Sequence, residues 1–223
     1  MSGRAARRVV EVPSGPVRLP GMLDVPAPAR GLVIFAHGSG ASRHAPRNRA
    51  LANTLRESQL ATLLMDLLTA AEDRSYDARF DVGLLTTRLS AAVRWSRLQA
   101  ATAGLPIGLF GAGTGAAAAL QVAAALRSEI RAVVCRGGRP ELASRSALGL
   151  IKAPTLLVVG AEDHDAVPAN ERAFTSLSCE KELATIPGAA NLFEEPGALE
   201  RMARLATAWF VRHLDAGTPS HRR

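Results

Sequence analysis

The sequence predicts an α/β fold, a mostly parallel sheet of about eight strands flanked by helices. Three observations carry that prediction. Short β-branched and aliphatic runs alternate with longer helix-patterned segments, the order expected of repeated βα units. Most of the runs are continuously apolar, as strands covered on both faces must be. A chain of 223 residues, 48% hydrophobic and 21% charged, suits one compact domain that buries roughly 70% of its unfolded-state surface. The expected domain spans 1–223, with 1–7 and 216–223 as flexible tails and no segment long enough for a cap domain.

The elements follow in order. An opening pair, Arg8–Val12 and Val17–Val25, is interrupted by Pro13-Ser14-Gly15-Pro16 and Pro20-Gly21, which suits antiparallel edge structure where proline is tolerated. Buried strands are then expected at Leu32–Ala36, Thr62–Asp66, Ile107–Phe110, Ile130–Cys135, Thr155–Val159 and Lys181–Ile186. Helical patterns lie between them, over Arg47–Glu57, about Phe80–Ala101, Thr114–Leu126, Pro168–Leu177 and Ala198–Leu214. In the last of these Leu199, Met202, Leu205, Trp209 and Leu214 recur at helical spacing, a core-packing stripe. Pro196-Gly197 marks its start and Gly217 follows its end.

Composition narrows the function. The formal charge is +7, but Arg4, Arg7, Arg8, Arg222 and Arg223 near the chain ends carry five of those charges. Aromatic residues are 4%, too few for a base-stacking surface, so a nucleic-acid partner is not expected. No apolar run approaches the roughly 18 residues of a membrane span. The basic N-terminus lacks the apolar stretch of a secretory signal. Two cysteines, Cys135 and Cys179, give no disulfide framework, so a reducing cytoplasm is expected. His, Cys and carboxylate residues nowhere fall at metal-ligand spacing, and no metal is assigned.

Ligands of open parallel sheets gather at the carboxyl ends of the strands. Those ends here are His37-Gly38-Ser39-Gly40, Leu67-Leu68-Thr69 with Glu72 and Asp73 beyond, Gly111-Ala112-Gly113-Thr114-Gly115, Arg136-Gly137-Gly138-Arg139, Gly160-Ala161-Glu162-Asp163, and the Pro187–Phe193 loop. The layout resembles the α/β-hydrolase superfamily, nearest its lidless dienelactone hydrolase-like group, over nearly the whole chain. The specific motif is G-x-S-x-G on a strained strand-to-helix turn, the nucleophile elbow. The resemblance maps the family's Ser, Asp and His onto Gly113, Asp163 and Asn191. It also implies oxyanion donors at the backbone N–H groups of Thr114 and of Gly38 or Ser39.

Two of the three mapped positions cannot support acyl transfer. The elbow reads Gly-Ala-Gly-Thr-Gly, so the nucleophile position has no side chain. Asn191 cannot act as a general base, and no histidine lies between His164 and His213. Nucleophile and base act as a unit, and loss of either costs on the order of 10⁶ in turnover. Three explanations stay open: a serine hydrolase inactivated in the laboratory, a non-catalytic binding or scaffold protein, or a non-hydrolytic enzyme such as a lyase, isomerase or cyclase. The expected ligand is a small carbonyl- or carboxylate-bearing molecule held at the oxyanion donors. Arg43, Arg47 and Arg136 are candidates for an electropositive rim around it, against the plain reading of solvated loop charge. Homo-oligomerisation stays open.

Other candidates have plainer readings. Gly111-x-Gly113-x-x-Ala116 fits a relaxed dinucleotide fingerprint, but the unit sits mid-sheet and its glycines suit the elbow, so no cofactor is expected. Cys135 reads as a small buried hydrophobe. His37 is expected to shape its turn, His164 to sit at the surface, and His213 to face a helix C-terminus.

Overall fold

The computed structural model describes residues 6–37 and 42–215. The chain enters through a hairpin, β1 (Ala6–Ser14) and β2 (Val17–Val25), paired antiparallel from Ala6↔Val25 to Ser14↔Val17. Gly15, at φ 58°, supplies the positive dihedral this two-residue connection needs. Then follow β3 (Gly31–Ala36), α1 (Pro46–Glu57), β4 (Leu60–Met65), α2 (Tyr76–Phe80) and α3 (Val82–Leu98). The second half runs β5 (Ile107–Ala112), α4 (Thr114–Leu126), β6 (Ile130–Arg136), α5 (Arg145–Leu150), β7 (Thr155–Gly160), α6 (Ala166–Ser176), β8 (Lys181–Ile186) and α7 (Ala198–Leu214).

The eight strands form one sheet in the order β1-β2-β4-β3-β5-β6-β7-β8. β2 pairs antiparallel with β4, and every later pairing is parallel. The expected mostly parallel, helix-flanked sheet is therefore present. β3, β4, β5 and β7 are buried at every position, which explains their unbroken apolar runs. One face packs on α3 and α4, where Leu85, Leu89 and Val93 meet the alanines of α4. The other packs on α1 and α7, where Leu51, Leu55, Met202 and Phe210 surround Phe35 and Phe110. Small residues let α4 lie close to the strands. No helix among the described residues is long and apolar enough to cross a membrane.

Several boundaries differ from the sequence reading, each for a local reason. The long helix expected over Phe80–Ala101 is two helices. Asp81 leaves helical dihedrals at φ −74°, ψ 88° and its side chain accepts a 2.9 Å hydrogen bond from Leu84 N–H, starting α3 afresh. β8 was expected to be covered on both faces, yet it is the sheet edge and only Ile186 in it is fully buried. α6 begins before Pro168, whose missing N–H costs nothing in a first turn. The short helices α2 and α5 carry too few turns to give a periodic signal. Residues 6 and 7, read as tail, belong to β1, and Arg7 lies 4.0 Å from Asp24.

Candidate functional site

The elbow is built by exclusion of side chains. β5 must reverse into α4 within one residue, and Gly113 makes that turn at φ 57°, ψ −129°, a region costly for any residue with a Cβ. A Cβ on Gly115 would stand 2.0 Å from the carbonyl oxygen of Ala36, and one on Gly111 would stand 2.5 Å from Cα of Ala116. The flanking glycines are thus required by close packing of helix on strand. Thr114 opens α4 and is 3% exposed. Its N–H belongs to a first helical turn, whose donors have no intrahelical partner and point at the strand ends. Its hydroxyl is buried without a hydrogen-bond partner.

Neighbouring loops are tied to this turn by backbone. The Gly113 carbonyl accepts from Arg139 N–H at 3.1 Å, holding the loop after β6 against the elbow. A Cβ on Gly138 would lie 2.4 Å from that of Ala116, and one on Gly137 would lie 3.0 Å from the Asn191 carbonyl oxygen. The loops after β7 and β8 join through Glu162 N–H to the Ala189 carbonyl at 2.9 Å. Gly160 passes so near that a Cβ there would be 2.2 Å from the same oxygen. The loops carrying positions 113, 163 and 191 therefore form one continuous rim.

The side chains at that rim do not form a relay. Asp163 is half-buried and its Oδ1 accepts from Ala166 N–H at 3.2 Å, at the start of α6. Asn191 is exposed, and among the described residues no hydrogen bond joins it to Asp163. Gly38 and Ser39, the other expected oxyanion donors, lie outside the described residues. Cys135 is fully buried, and burial pushes its thiol up to about 12, so it is no nucleophile near neutral pH. His164 is exposed. His213 lies 3.7 Å from Glu180, but burial holds its pKa below the ordinary value, against the upward pull of Glu180 and with a downward push from Arg212.

A cleft of about 260 Å³ opens beside Thr114, lined by His37, Arg43, Asp66, Leu67, Thr69 and Arg79 among others. Its charged centre is Asp66, one residue past β4. His37 Nε2 lies 3.2 Å from Asp66 Oδ1, Arg43 N–H donates to the same oxygen at 2.7 Å, and the Arg43 guanidinium pairs with Oδ2. Burial alone would raise the Asp66 pKa. The His37 hydrogen bond, the Arg43 N–H and the electrostatic pull of the His37 and Arg43 side chains outweigh it and lower the value. Glu72 beyond is gripped by Arg88 through two 2.7 Å contacts and by Thr69, which brings its carboxyl down to about 2. Neither Asp66 nor the Glu72–Arg88 pair stood out in the sequence. A carboxylate directly after a buried strand was the available signal for Asp66.

The three arginines expected at an electropositive rim occupy different settings. Arg43 is committed to Asp66. Arg47, in the first turn of α1, pairs with Glu194 at 2.7 Å. Arg136 is not on a rim: as the last residue of β6 it is 7% exposed, and it stands over the Phe110 ring at 5.7 Å. Among the described residues no group of three His, Cys, Asp or Glu side chains could hold a metal ion.

The strand order, the strained β5–α4 turn and the loops after β7 and β8 together define an α/β-hydrolase. Within that class the chain belongs to the dienelactone hydrolase family. It is 48% identical to the dienelactone hydrolase of Anabaena variabilis ATCC 29413, with a TM-score of 0.92 over 95% of this chain and 100% of that one. Est1E from Butyrivibrio proteoclasticus shares the fold alone, at 17% identity and a TM-score of 0.79, over 92% of this chain and 98% of its own. A curated relative in Mycobacterium tuberculosis strain ATCC 25618 / H37Rv, named "Putative phosphoribosyl transferase", is 51% identical over 211 residues. That match covers 95% of this chain and 47% of the relative, so the chain spans about half the length of the curated relatives it matches. No family model matches the chain.

Proposed function

We propose that this protein binds a small carbonyl- or carboxylate-bearing molecule at its elbow without running the serine-hydrolase cycle. One observation carries the reading: Gly113 holds the elbow dihedrals, φ 57° and ψ −129°, with no atom that could attack a carbonyl. The first-turn N–H of Thr114 is a suitable donor to a ligand oxygen, and Gly113 places no side chain beside it. Asn191 in the base position can donate and accept hydrogen bonds but cannot shuttle a proton. Asp163 then acts as a structural carboxylate, with nothing to orient. Unpaired Cys135 and Cys179 accord with a cytoplasmic setting. The transferase name of the longer relatives is not carried to this chain, because the hydrolase fold accounts for the length they share.

The His37–Asp66 pair lining the cleft favours a second reading, a non-hydrolytic enzyme that moves a proton there. Two measurements separate the readings. Purified protein is expected to show no p-nitrophenyl ester turnover above background, while small oxo-acids raise its melting temperature. Turnover that disappears in Asp163→Asn would instead reveal a working triad built from other residues. Conversion of one metabolite without ester turnover, lost in Asp66→Asn, would favour the proton-transfer enzyme. A complex with the ligand oxygen remote from the Thr114 amide would remove the oxyanion-hole reading.

A further inference from the structure

We propose that Arg136, with Arg47 beside it, forms a binding site for a small oxyanion, a carboxylate or phosphoryl group, on the α1 side of the elbow. This rests on the ligand-binding reading above and gives that ligand its charge class.

Alternation along β6 sets the direction of the side chain. Ala132 and Val134 pack on the face shared with α1 and α7, and Arg136, two residues further on, takes the same face. Its contact with Phe110, a member of that face, agrees. Arg136 pairs in register with Ala112, the residue before Gly113. The Arg136 backbone therefore lies beside the residue that precedes the elbow.

Among the described residues no group neutralises the guanidinium. Nε and Nη1 are both buried without a hydrogen-bond partner, and no carboxylate forms an ion pair with it among the described residues. The charged neighbour that acts on it is Arg47, of the same sign; burial first, and Arg47 second, bring the guanidinium down to about 10. Arg47 sits in the first turn of α1, which has no acidic residue there and no side-chain cap on its twelve-residue helix. The positive end of the helix dipole adds to the field. Phe110 offsets part of the cost through its ring face, but supplies no acceptor for the two orphaned donors. Arg88 provides the internal contrast. It is equally buried, at 5% exposure, yet its guanidinium reaches the Leu67 carbonyl and both oxygens of Glu72.

A buried, unpartnered charge is strongly disfavoured unless something compensates it. A planar guanidinium with free donors matches the oxygens of a carboxylate or phosphate. Arg47 is half-buried and already shared with Glu194, so it can turn toward an incoming anion as a second donor.

The test follows the melting temperature of the whole chain in inorganic phosphate, and separately in acetate, against sodium chloride at matched ionic strength. At least one anion is expected to raise it by a few degrees at millimolar concentration. Whether phosphate or acetate acts more strongly tells a phosphoryl from a carboxylate ligand. Arg136→Met should lose the shift and, in chloride, melt no lower than the native protein, since it removes an uncompensated buried charge. Arg47→Gln, at the half-exposed helix start, should keep the fold and reduce the shift. No shift with either anion, an unchanged shift in Arg136→Met, or unfolding of that variant in chloride would each overturn the proposal. None of these readouts depends on ester hydrolysis, so failure here and failure of the non-hydrolytic reading remain distinguishable.

Discussion

The elbow and the loop after β8 meet at the same rim, and they are determined in different ways. At the elbow the flanking glycines are fixed by close contact and the turn by a hydrogen bond: Gly111 and Gly115 admit no Cβ, a Cβ on Gly138 would press on Ala116, and the Gly113 carbonyl anchors Arg139. At the β8 loop the backbone is equally anchored, through Ala189, but the side chain of Asn191 is exposed and bonded to neither Asp163 nor the elbow. Close backbone contacts thus hold the strand-end loops of this scaffold in place at both sites. The side chains at positions 163 and 191 take little part in holding that backbone together.

Substitutions can break that contrast. The largest effect is expected at Gly115→Ala, where the new methyl would stand 2.0 Å from the Ala36 oxygen and 2.6 Å from its carbonyl carbon. A loss above about 4 kcal/mol, read by denaturant unfolding, is expected from such overlap with backbone. Gly113→Ala adds a Cβ at φ 57° and should cost about 1–3 kcal/mol in strain while keeping the fold. Equal losses at the two positions would erase the distinction between packed glycines and a vacated site.

Carboxylates at the same edge sharpen it further. Glu72 has a folded-state pKa of about 2 against an ordinary 4.5, so its charged form stabilises the fold. That contribution is complete above about pH 4.5 and is lost as pH falls toward 2; it amounts to about 2 kcal/mol once partial solvent screening is allowed. Glu72→Gln should flatten the acid limb of a stability–pH curve. Asp163→Ala removes one acceptor from the start of α6, worth about 1 kcal/mol. Asn191→Ala is expected to change stability by less than about 0.5 kcal/mol. A loss of several kcal/mol at Asn191 would mean that the loop side chain is structural after all.

Much of this was legible in the sequence because packing demands write themselves into residue type. Continuous apolar runs gave β3, β4, β5 and β7, and the paired glycines around position 113 gave the elbow, since only glycine survives contacts of 2.0–2.5 Å. Properties that depend on what lies across the fold were hidden. Arg43, Arg47 and Arg136 looked alike as strand-end and loop arginines. One is bound by Asp66, one by Glu194, and one is buried over Phe110 without a counter-charge among the described residues. The break at Asp81 was missed for a related reason: a helix cap interrupts the backbone but leaves the apolar stripe running through it.

The reading proposed for this site is hydrolase geometry without hydrolase chemistry. The double substitution Gly113→Ser with Asn191→His, assayed for p-nitrophenyl ester hydrolysis beside the native protein, tests it most directly. On that reading no turnover is expected in the native protein, and measurable turnover in the double variant, abolished again by Asp163→Asn. Native turnover equal to that of the variant, or a folded variant that stays inactive, would contradict it.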